Sequence, residues 1–130
     1  MIDANILIGN IYPSDQYHKE TERLLPEFVK RHGEVHLTDY VFLEVINFLT
    51  KKVGRHEAEK TIEKLLTSNK IKIIYNTPET FLQTANEYKN YSNLSFTDVN
   101  IVIQMRRHGL KELLSFDAGF DEVKEIKRIH

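Results

Sequence analysis

Four carboxylates in this 130-residue chain each lie beside a short apolar run. Asp3 follows Met1 and Ile2, Glu44 lies between Leu43 and Val45, Asp98 follows Ser95-Phe96-Thr97, and Asp117 follows Leu113-Leu114-Ser115-Phe116. Brought together, such groups repel and raise one another's pKa, which proteins tolerate when a divalent cation neutralises them. An all-oxygen ligand set selects a hard ion, Mg2+ or Mn2+, over zinc. An ion of that kind lowers the pKa of a bound water and offsets charge developing on a phosphodiester; two ions clamp both the attacking and the leaving oxygen.

Each acid also has a structural explanation. Asp3 and Asn5 suit the start of a helix containing Ile6 and Leu7, and Asp117 suits a turn before Phe120. Ser95 and Asp98 fit a capping box, with the acid three residues beyond the cap and beside a favourable helix dipole. Glu44 is harder to explain in this way. Its helical neighbours Val41, Phe42, Leu43, Val45, Ile46 and Phe48 are apolar, so a lone ionised carboxylate there is costly unless paired or coordinated. A salt bridge to a lysine is the structural alternative to a metal.

The elements that must position these acids alternate between short strands and helices. Helical spacing is predicted over Gln16–Lys30, with a kink or restart at Pro26, and over Asp39–Val53, with Gly54 at its end. A second helix carries Ala58, Ile62, Leu65 and Leu66, and two more run over Glu79–Tyr88 and Thr97–Arg107. Strands are predicted at Met1-Ile2, Val35–Leu37, Ile71–Tyr75, Leu113-Leu114 and Lys124–Ile129. Right-handed crossovers then give an α/β fold, a three-layer α/β/α sandwich around a mostly parallel sheet. In such a sheet ligands bind at the carboxyl ends of the strands, near a switch in strand order, which is where Asp3 and Asp117 are expected.

Composition narrows the possibilities. One domain over residues 1–130 fits the length and the 41% hydrophobic content, and no repeat or linker argues for a second. The absence of cysteine excludes disulfides, thiolate metal sites and a cysteine nucleophile. Apolar runs are too short to span a bilayer and no leader-like segment opens the chain, so a cytoplasmic protein without a membrane partner is expected. Lys and Arg number 18 against 19 Asp and Glu, for a net charge of -1. Basic clusters at Lys51, Lys52 and Arg55, at Arg106, Arg107, His108 and Lys111, and at Lys124, Lys127 and Arg128 read either as solvated faces or as a nucleic-acid grip. No P-loop, dinucleotide or nucleophile-elbow motif occurs.

Four blocks, in order and spacing, resemble the PIN domain family and its VapC-type toxin ribonucleases: Ile2-Asp3-Ala4-Asn5-Ile6-Leu7-Ile8, Leu43-Glu44-Val45, Leu94 to Ile101, and Leu113 to Asp121. The resemblance covers essentially the whole chain. It implies a PIN-like fold, Mg2+ or Mn2+ dependence and endonucleolytic cleavage of RNA, often in a homodimer controlled by a protein antitoxin. Asp3, Glu44, Asp98 and Asp117 match the family's acidic quartet, with Asp3 and Asp98 ranked as direct ligands and Glu44 and Asp117 as support or second-metal ligands. Asp121 resembles an additional acid, Asn5 a polar support of the first aspartate, and Thr38 a small hydroxyl near the site. Two departures stand out. Ala4 replaces the usual Thr or Ser, which either lowers activity or passes that role to Asn5, and only two residues precede Asp3, so the first strand is expected to be very short.

Other functions remain open from the sequence. A housekeeping RNA-processing nuclease shares the fold, and a non-catalytic PIN-like binding module is kept in view by Ala4. A phosphoacceptor receiver domain ranks low, because Asp3 has no acidic neighbour and Tyr75 leads into Asn76 where an aspartate is required.

Overall fold

Asp3 ends the first extended segment and begins the first helix, because its carboxylate accepts the Ala4 N–H as an N-cap. A computed structural model describes residues 1–130, and in it α1 spans Ala4–Ile11 with Ile6, Leu7 and Ile8 buried. Helix α2, His18–His32, runs unbroken through Pro26, which faces solvent, so the helix does not restart there. Gly33, at φ 76°, closes it in a conformation that favours glycine.

Thr38 ends β1, Val35–Thr38, and caps α3, Asp39–Lys52, by accepting the Val41 N–H at 3.1 Å. Val53 then closes α3, and Gly54, at φ 123°, serves instead as the N-cap of α4, Arg55–Thr67. Strand β2, Ile71–Ile74, stops one residue short of the predicted Tyr75, and α5 covers Pro78–Glu87. Helix α6, Phe96–Arg107, has every residue from Asp98 to Met105 buried, including Asn100 and Gln104. A helix with no solvent face has no amphipathic stripe, so the inward side predicted for Ile101, Val102 and Met105 is only part of it. Its polar side chains are satisfied around Asn76, whose Oδ1 accepts from Asn100 Nδ2 at 2.7 Å and from Gln104 Nε2 at 3.0 Å.

Strand β3 is Glu112–Leu114 and β4 is Lys127–Ile129, half the length expected for the last strand. Both observed pairs, β1 with β2 and β3 with β4, are parallel. The first residues join them. Ile2 N–H donates to the His36 carbonyl at 2.8 Å, Leu114 N–H donates to the Met1 carbonyl at 3.0 Å, and Asp3 N–H donates to the Leu114 carbonyl at 3.1 Å. The resulting order is β2, β1, residues 1–3, β3, β4, with the winding direction reversing at the N-terminal segment. This is the α/β sandwich read from the sequence, built on strands of only three or four residues. No helix is long and apolar enough to cross a membrane.

Candidate active site

The reversal point fixes where a ligand crevice opens, at the carboxyl ends of the first segment and β3. Asp3 leaves one of those strands and Ser115 the other, and the two side chains meet. Asp3 Oδ2 accepts hydrogen bonds from Ser115 Oγ and from Asn5 Nδ2, both at 2.7 Å, while Oδ1 accepts from the Ala4 N–H at 2.6 Å. Ser115 Oγ also accepts from Asn5 Nδ2 at 3.2 Å and from the Asp117 N–H at 3.0 Å. One hydroxyl thus ties the first acid to the backbone of the fourth.

Asp98 arrives from the first turn of α6. Its Oδ2 accepts the Ser95 N–H at 2.8 Å while its own N–H donates to Ser95 Oγ at 3.2 Å, the reciprocal capping box expected from the sequence. Asp117 caps the short 3-10 turn Ala118–Glu122 by accepting the Gly119 N–H at 2.7 Å. The capping explanations are therefore correct for all three aspartates, and each cap uses part of the carboxylate. Asp98 Oδ1 and Asp117 Oδ2 make no hydrogen bond within the chain.

The four acids share an electrostatic field. Asp3, only 5% exposed, has its carboxyl pushed up to about 7, first by burial and then by the charges of Asp98 and Glu44. Asp98 is raised by burial and by Asp117, and Glu44 by partial withdrawal from water and by Asp98. Acids raised by burial and by their acidic neighbours stand where positive charge is wanted. Glu44 departs from the sequence reading: it is exposed, on the rim of the group, rather than buried among apolar neighbours. Val41, Val45 and Leu49 take the buried side of α3, and Leu43 shares the solvent side with Glu44. No three acidic or histidine side chains stand close enough to form a closed metal cage, so the group is a field of carboxylates rather than a completed ligand set.

The remaining residues fall into different places. Asn5 touches Asp3, as expected. Thr38 is buried and engaged as the α3 cap, on the helix that carries Glu44. Asp121 does not join the acids; it receives a two-pronged pair from Arg128. Nothing local in the sequence marks Ser115 as a site residue, since a serine after a two-leucine strand has no pattern to distinguish it. Half of the ten residues in the basic clusters are ion-paired: Arg55 with Glu59, Arg106 with Glu87 and Glu125, Arg107 with Glu79, Lys127 with Glu112, and Arg128 with Asp121.

A parallel sheet wound in both directions from its first strand, with a crevice at the reversal, is the α/β architecture of the PIN class. The PIN domain family model matches residues 1–126, and the chain belongs to that family, whose members are nucleases. Among solved structures it is similar to the crystal structure of Mycobacterium tuberculosis VapC20, a sarcin-ricin loop cleaving toxin. Identity is 19%, with 93% of this chain and 92% of that chain covered at a TM-score of 0.82, a likeness of fold. No curated protein is a significant match.

Proposed function

We propose that this chain is a metal-dependent endoribonuclease and the toxin of a toxin-antitoxin pair, acting in the cytoplasm as a homodimer held in check by a protein antitoxin. Membership of the PIN family and the fold it shares with a toxin that cleaves the sarcin-ricin loop support the reading. The observation that carries it is the meeting of acids at the strand reversal, where Ser115 joins Asp3 to the Asp117 backbone and Asp98 lies in the field of Asp117 and adds its charge to Asp3 and Glu44.

Asp3 and Asp98 are the direct ligands of Mg2+ or Mn2+ in this reading, with Asp117 and Glu44 as support or ligands of a second ion. The donor set fits a hard cation, being all carboxylate oxygen with Asp98 Oδ1 and Asp117 Oδ2 unengaged. What such an ion supplies when bound is an acidified water and neutralisation of the charge developing on the phosphodiester. The chain's own residues set the geometry. Ser115 and Asn5 hold Asp3, the Ser95 N–H turns Asp98, and the Gly119 N–H turns Asp117. Ser115 also answers the departure at Ala4, since a hydroxyl reaches Asp3 from β3 instead of from the adjacent residue.

Purified protein with Mg2+ or Mn2+ is expected to cut structured RNA, with a sarcin-ricin hairpin as the first substrate to try. Asp98→Asn and EDTA should each abolish cutting. Cleavage that survives either treatment overturns the reading. Induced expression should arrest growth, and unimpaired growth would favour an RNA-processing nuclease over a toxin.

A further inference from the structure

We propose that Arg128 is a positioning residue for the acidic site, forming with Asp121 a clamp that fastens the Ser115–Asp121 segment to the last strand. The inference rests on the metal-dependent reading above. Arg128 Nε and Nη2 each lie 2.8 Å from a different oxygen of Asp121, a bidentate pair, while Nη1 donates to the Ser115 carbonyl at 3.4 Å. A single guanidinium on β4 thus holds both ends of a seven-residue stretch. Inside that stretch Ser115 reaches Asp3, and the charge of Asp117 acts on Asp98.

Three features separate this role from a plain surface ion pair. The Arg128 side chain is only 10% exposed although Asp121 is 59% exposed, so the arginine is packed in place and reaches outward to an acid that stays in water. It sits in the field of Asp117 as well as Asp121, opposing the repulsion among the acids. Its Nε, Nη1 and Nη2 are all committed within the chain, which leaves no free fork for a substrate phosphate. Lysine, a point charge on a flexible stem, cannot span an acid and a carbonyl in this way.

The test compares wild type with Arg128→Gln, Arg128→Lys and Asp121→Asn by calorimetric Mn2+ titration, RNA cleavage kinetics and hydrogen exchange. Groups that orient metal ligands typically change affinity by about tenfold or more. Each variant is expected to weaken Mn2+ binding by about that factor, lower kcat with little change in KM, and speed exchange in residues 115–122 while exchange in α3 and α4 stays slow. A double variant should be no worse than either single one. Wild-type Mn2+ affinity and kcat in Arg128→Gln overturn the clamp, as does a rise in KM alone, the mark of a phosphate contact. Absence of Mn2+ binding in wild type overturns the metal reading instead. The clamp is then judged by exchange, and unchanged protection of residues 115–122 in Arg128→Gln and Asp121→Asn overturns it.

Discussion

Ser115 Oγ donates to Asp3 Oδ2 at 2.7 Å across 112 positions of sequence, joining the end of β3 to the end of the first extended segment. The same oxygen accepts the Asp117 N–H, so a buried hydroxyl couples two acids that no local pattern connects. Ser115→Ala is expected to leave Asp3 with Asn5 and Ala4 as its only donors, raise its pKa further and weaken Mn2+ binding about tenfold. Isothermal titration checks this, with Ala4→Ser as the comparison, predicted to change affinity far less.

Asp3 also makes the metal-free protein pH-sensitive. Its carboxyl is raised in the fold from 3.8 to about 7, so the folded state holds this proton more tightly than the unfolded chain. The associated stability is complete below about pH 4 and is lost as pH rises through about 7. Asp3→Asn removes the charge that burial penalises. In EDTA at pH 8 the variant should therefore melt higher than wild type, by about 3 °C or more for about 1 kcal/mol, and the gap should close toward pH 5. Thermal melts over that range decide it; a variant that melts lower at pH 8 contradicts the assignment.

Capping and chemistry at α6 are separable. Ser95→Ala removes the hydroxyl that receives the Asp98 N–H and is expected to cost about 1 kcal/mol of stability while keeping most Mn2+ affinity. Asp98→Asn keeps an oxygen that can accept the Ser95 N–H, so it should fold nearly as stably yet lose RNA cleavage at least a hundredfold. Denaturant unfolding beside single-turnover cleavage distinguishes the two.

Gly119 is needed for a close approach rather than for its dihedral angles. A Cβ there would lie 2.6 Å from the Asn93 carbonyl and 3.1 Å from Asp117 Oδ1, and the carbonyl is backbone that cannot swing aside. Gly119→Ala is expected to destabilise by about 1–3 kcal/mol and to displace Asp117 from Asp98, lowering cleavage more than stability alone explains. Chemical denaturation and cleavage rates measured well below the midpoint test both parts.

The sequence by itself determined the alternation of helices and strands, the parallel sheet, and the three aspartates' helix and turn caps, because these depend on apolar periodicity and on residues within three positions of each other. It also brought out the four acids through their order along the chain. What it could not supply is which side of a helix meets the core. Glu44 and Leu43 face solvent because α3 turns its other side to α4 and α1 and, to a lesser extent, to the sheet and α6, and Asn100 and Gln104 are buried because Asn76, on the loop after β2, satisfies them. Only the tertiary structure decided that Ser115 supports Asp3, and that Asp121 and Arg128 pair with each other instead of joining the acids and the surface bases. Those partners lie seven to more than one hundred residues apart, and their meeting depends on the sheet bringing the first segment, β3 and β4 side by side.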